Sequence, residues 1–120
     1  IFLGYYLYME ATGQKFGDRA RLASNNLMGK CNLRMFYHMH GIHVNSLLVY
    51  MRTKLNGPLR VVANMSGSVG DNWIRSEVNV TNGDQPFQIV IEGQCMQWVF
   101  VLLGGNMFSC RAIAYNEGVL

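Results

Sequence analysis

Along most of this chain apolar and polar residues alternate with a period of two. No run of a dozen residues keeps the three-to-four spacing of an amphipathic helix. In "NLRMFYHMH", residues 32–40, Leu33, Met35, Tyr37 and Met39 fall on one face, with Arg34, Phe36, His38 and His40 on the other. "SLLVYMR", residues 46–52, groups Leu47, Val49 and Met51, and "KLNGP" after it has the residues of a turn. The two segments read as an antiparallel pair. "WIRSEVNV", residues 73–80, sets Ile74, Val78 and Val80 against Arg75, Glu77 and Asn79. "FQIVIEG", residues 87–93, sets Phe87, Ile89 and Ile91 against Gln88, Val90 and Glu92.

Shorter strand-like stretches complete the pattern: "GYYLYME" from 4, "ARLAS" from 20 and "LRVVANMS" from 59. "GQKFGD", "GSVGDN" and "TNGDQP" lie between strands as loops and turns, and Trp73 opens the strand after the second as a core or interface anchor. "MQWVFVLL", residues 96–103, is a strand by composition, whereas residues 104–120 show no clear period. Short strands divided by Gly, Asn and Pro predict an all-β sandwich or barrel of antiparallel strands.

Composition narrows the class. The chain has 120 residues, enough for one domain with one core; half are apolar and 14% charged, a balance for a packed globule. Ten basic and seven acidic residues give a net charge of +3, and they are scattered, so no basic run is present to track a phosphate backbone. No nucleic-acid partner is expected. The opening "IFLGYYLYM" lacks a basic leader and a small-residue cleavage site, so it is read as mid-domain sequence, not as a signal peptide. "WVFVLLGG", the most apolar stretch, falls well short of the roughly 18 residues of a spanning helix, so no membrane insertion is expected within this segment.

Cys31, Cys95 and Cys110 make an odd count, which leaves one thiol without a partner or with a partner outside this stretch. Two sequons, Asn64-Met65-Ser66 and Asn79-Val80-Thr81, point to the secretory route. Asn79 alternates onto the polar face with Arg75 and Glu77, which ranks it ahead of Asn64, near a strand end, as a glycan acceptor.

The one stretch with catalytic colour is His38-x-His40-x-x-His43. It is similar to the His-x-His-x-Asp-His corner of metallo-β-lactamase hydrolases, where imidazoles and a carboxylate hold zinc. Here Ile42 stands in the place of the aspartate, and a hydrocarbon neither ligates a metal nor orients water. The chain has no other histidine. Nucleophile elbows, phosphate loops and paired carboxylates are absent as well, so no enzyme activity and no cofactor are expected. A zinc hydrolase on His38, His40 and His43 is the alternative, and a carbohydrate-binding sandwich a further one.

Taken in order, several segments resemble the MAM domain, the extracellular module of meprin, the A5 neuropilin antigen and receptor protein tyrosine phosphatase mu. "GYYLYMEATGQKFGDRARLAS" is similar to that family's opening, with Gly4, Tyr6, Leu7, Ala11 and Leu22 in place. "CNLRMFYHMHG" resembles its Cys-Leu-Arg-Phe-Trp-Tyr-His-Met-Tyr-Gly strand, with Asn32 inserted and His40 where an aromatic is usual. "SLLVYMR", "SGSVGDNWIRSEVNV" and "QPFQIVIEG" resemble the strands and turn that follow. The resemblance covers residues 4 to 93; after Gly93 the tail departs from the family pattern.

The resemblance implies a jelly-roll β-sandwich. Residues 1–93 would be a partial domain lacking the family's first strands, and 94–120 a divergent tail of uncertain structure. It implies a non-catalytic adhesion or interaction module outside the cell, in a larger secreted or membrane-bound glycoprotein, whose partners are other extracellular proteins, homophilic contact included. It further implies that Cys31 pairs with a cysteine near the domain end, either Cys110 or Cys95.

Overall fold

A computed structural model of the chain describes residues 7–9, 19–39, 46–66, 72–94, 99–102 and 108–111. Among them nine strands form two antiparallel sheets: β1 (Leu7–Met9), β2 (Arg19–Ala23), β3 (Lys30–Met39), β4 (Ser46–Arg52), β5 (Arg60–Ser66), β6 (Ile74–Thr81), β7 (Gln88–Gln94), β8 (Val99–Leu102) and β9 (Phe108–Arg111). The first sheet runs β1-β8-β3-β6, with β9 also on β3, and the second β2-β7-β4-β5.

The alternation read from the sequence decides which side chains face inward. Cys31, Leu33, Met35, Tyr37 and Met39 are buried on β3 while the residues between them are partly or fully exposed. From the second sheet Leu47, Val49, Met51, Phe87, Ile89 and Ile91 meet them, and Val62, Ala63, Met65, Ile74 and Val78 close the sides. Stacking of the two sheets hides these facing apolar side chains from water, which produces the sandwich.

One expectation is corrected. β3 and β4, consecutive in sequence, do not pair. β3 takes β6, β8 and β9 as neighbours, whereas β4 lies between β5 and β7 in the other sheet. Both strands alternate with one apolar face, and that pattern is satisfied equally by hydrogen-bonded neighbours and by strands opposed across a core. Here the two apolar faces oppose each other.

The turn at 54–57 forms as its residues dictate. Gly57 N–H donates to the Lys54 carbonyl at 2.9 Å, and Asn56 takes φ 59°, a left-handed backbone that Asn tolerates and a type II turn requires at its third position. The turn expected at "GSVGDN" lies mostly outside the described residues.

The first sheet is also fastened covalently: of the two partners left open for Cys31, the structure joins Cys110, 79 residues away. The two cysteines are direct partners in the β3–β9 ladder and both are buried. Cys95 lies outside the described residues.

Candidate functional site

The described surface offers two broad outer faces, and each gathers chemistry of a different kind. On the first sheet, β3 turns Lys30, Asn32, Arg34, Phe36 and His38 outward. The register aligns Thr81, Asn79, Glu77 and Arg75 of β6 beside the first four. At the far end Trp73, which just precedes β6, meets His38 with ring centroids 5.5 Å apart and planes at 55°. Trp73 is 43% exposed, so it is no core residue; of the two roles expected for it, interface anchor is the one its position allows. Towards the other end the described side chains of β3 and β6 on this face are polar. Arg75 pairs with Glu77, and Asn32 Nδ2 donates to Asn79 Oδ1 at 2.9 Å. An open depression of about 620 Å³ lies over Lys30, Asn32, Arg34, Asn79 and Thr81.

The outer face of the second sheet is ordered in rows across its strands. One row reads Arg19, Gln94, Ser46 and Ser66; the next Arg21, Glu92, Leu48 and Asn64; the third Ala23, Val90, Tyr50 and Val61. Glu92 sits at the centre with no exposed surface. A buried carboxylate is tolerated only when neighbours replace its water, and four do so here. Arg21 Nε donates to Oε2 at 2.6 Å, Gln94 Nε2 to Oε1 at 2.9 Å and the Tyr50 hydroxyl to Oε1 at 3.2 Å. Arg19 Nη1 stands 3.8 Å from Oε2.

Burial pushes the Glu92 carboxyl up, but the hydrogen bonds from Arg21 and Gln94, with the Arg21 charge, outweigh it and hold the group below its ordinary value. Burial first, and then the facing Glu92 charge, push the Tyr50 hydroxyl up, so it remains a donor.

Of the three histidines, His38 lies on the aromatic end of the first face, whereas His40 and His43 fall outside the described residues. Among the described residues no three His, Cys, Asp or Glu side chains gather as metal ligands would. Asn79 is exposed on the outer face of the first sheet, and Asn64 is exposed on β5, the edge strand of the second. The Glu92 cluster was missed by sequence reasoning. Its signals were a lone carboxylate in the apolar run "FQIVIEG" and two arginines at i and i+2 in β2, but the residues joined are 71 apart in the chain.

Comparison with known proteins agrees with this architecture. A family model described as MAM domain, meprin/A5/mu matches residues 3–101. The MAM domain-containing glycosylphosphatidylinositol anchor protein 1 of Rattus norvegicus is 40% identical over 96 residues, covering 75% of this chain and 10% of that protein. MAM domain-containing protein 2 of Homo sapiens is 31% identical over 93 residues, covering 75% and 13%. Neuropilin-1a of Danio rerio is 31% identical over 122 residues, covering 90% and 13%. The chain thus spans between 10% and 13% of the length of these curated relatives. With most of its length matched by the family model and its strands stacked as two antiparallel sheets, the chain belongs to the MAM domain family.

Proposed function

We propose that the chain is a non-catalytic, extracellular protein-interaction and adhesion module of a larger secreted or membrane-anchored protein. The observation that carries this is the aromatic end of the first sheet's outer face, where Trp73 is 43% exposed and meets His38, which lies two residues along β3 from Phe36. A tryptophan on a flat sheet face, with its ring held by a neighbour, buries much area at little entropic cost when a protein partner covers it. The names of two relatives add support: one is a glycosylphosphatidylinositol anchor protein, another a neuropilin. Among the described residues no helix is long and apolar enough to cross a membrane. The partners are other extracellular proteins, a second copy of this module included.

Residues 1–93 form the family-like body in this reading, and 94–120 a closing segment, of which the family model takes in residues 94–101; this segment contributes β8 and β9 alongside β3. Asn79 and Asn64 carry N-linked glycans. Both are exposed, and the depression around Asn79 gives the first sugar room to lie against the sheet.

The test is binding of the multimerised ectodomain to cells displaying candidate ectodomains, itself among them. Trp73→Ala should weaken binding by about 2 kcal/mol, roughly thirty-fold, without loss of fold. Binding that ignores Trp73, or stoichiometric zinc lost on His38→Ala, would overturn the reading. For the glycans, a glycosidase should reduce the mass of secreted protein, and Asn79→Gln and Asn64→Gln should each remove one increment; an unchanged mass would exclude them.

A further inference from the structure

On the opposite side of the sandwich from Trp73, the outer face of the second sheet is divided: the Ala23–Val90–Tyr50–Val61 row is apolar and aromatic, whereas the end at Arg19 and Arg21 is charged and polar. Arg19 and Arg21 project from β2 at i and i+2, so they share a face, and both lean on the single carboxylate of Glu92. The pair therefore carries one positive charge in excess. Arg52 adds a further cation on the same face, where its Nε donates to Gln88 Oε1 at 3.0 Å. Among the described residues of this face, Glu92 is the one acidic group against three arginines.

The buried carboxylate also orients the pair. Arg21 spends its Nε on Glu92, which fixes the plane of the guanidinium and leaves the side chain 46% exposed; Arg19, 3.8 Å from the same carboxylate, is 54% exposed. A guanidinium anchored in this way offers its remaining N–H groups as a planar fork, the geometry that carboxylate and sulfate oxygens accept.

The rest of the row that begins at Arg19 is made of Gln94, Ser46 and Ser66, with no apolar side chain. Amide and hydroxyl groups donate and accept at once, as sugar hydroxyls do. The row crosses four strands, about 14 Å at the usual strand spacing, the reach of a short oligosaccharide. A protein partner would want an apolar anchor, and this row supplies none.

We infer that the Arg19–Arg21 end of this face binds an acidic glycan, with its carboxylate or sulfate on the two guanidinium groups and its sugar hydroxyls on Gln94 and Ser66 of the same row. This is separate from the protein contact at Trp73 and stands if that contact fails. Asn64 lies on β5, three strands from Arg21, so a glycan on Asn64 is rooted away from the arginine pair.

The experiment is calorimetric titration of the chain, expressed with the segments that flank it in its natural protein. The probes are a heparin-derived hexasaccharide, 3′-sialyllactose, neutral lactose and an oligoglutamate peptide. At least one acidic sugar should bind, more weakly as salt rises, and lactose should not; which acidic sugar binds distinguishes sulfated uronate chains from sialylated ones. Arg19→Ala, which leaves the Arg21–Glu92 bond in place, should weaken binding roughly ten-fold, and Arg19→Lys should recover only part of it. Arg34→Ala, on the opposite face, should change nothing. Failure of both acidic sugars would overturn the inference. So would indifference to Arg19→Ala, or an equal loss in Arg34→Ala, the signature of bulk charge. Oligoglutamate bound as tightly with the same Arg19 dependence would overturn it in favour of an acidic peptide.

Discussion

Glu92 illustrates how one side chain can hold several strands. It is fully buried on an outer face, where the pattern of its own strand would leave it in water, and its partners come from β2 and β4 as well as β7. Removing Arg21 leaves that carboxylate short of its shortest hydrogen bond. Arg21→Ala should therefore destabilise the fold by about 2 kcal/mol near neutral pH, measured by urea unfolding. The pH dependence follows from the direction of the shift. An unfolded glutamate titrates near 4.5, and the folded one lower. The stability this group contributes is present in full above the unfolded value and is lost as pH falls through the folded one. Thermal melts between pH 7 and 3 should show a steeper acid limb in the wild type than in Glu92→Gln. Parallel limbs would mean that Glu92 gains nothing from its partners.

Among the elements, β9 depends most visibly on a covalent tie. It is four residues long, and its ladder to β3 runs over only Lys30 to Leu33. The Cys31–Cys110 bond lies within that ladder and closes a separation of 79 residues. In the chain-entropy account a loop of that size restrains the unfolded state by roughly 4 kcal/mol. Replacing both cysteines by serine should lower the unfolding free energy by up to that amount, with the first sheet losing amide-exchange protection at 30–33 before the β4–β7 pair does. Equal protection throughout would show that β9 stays docked without the bond. Little of this was visible in sequence: residues 104–120 lack an alternating pattern because a four-residue strand offers two inward positions at most. By contrast β3, β4, β6 and β7, with seven to ten residues each, repeat the alternation often enough to be read.

At the scale of the whole molecule, stability rests on the layer between the sheets. Phe87, Leu33 and Met35 are almost wholly enclosed there. Phe87→Ala should cost about 3–5 kcal/mol in urea unfolding with an unchanged slope, since it leaves a cavity that opposed strands cannot collapse to fill. Val61→Thr, at a position 53% exposed on β5, should stay within about 0.5 kcal/mol. The same layer separates the two functional faces. Trp73 and His38 look out from one sheet and the Glu92 cluster from the other, so a partner on one side does not compete with a ligand on the other.

Period-two alternation by itself determined that the chain is all β and which side of each long strand is apolar, because a strand's side chains must alternate whatever its neighbours are. The ordered motifs from Gly4 to Gly93 determined the family. Tertiary structure alone decided which strands are neighbours: β3 sits across the core from β4 and not beside it, and β2 finds β7. Alternation sorts residues between two faces but carries no address for the partner strand, so contacts between residues 71 or 79 positions apart, at Glu92 and at Cys31, exist only once the sheets have stacked.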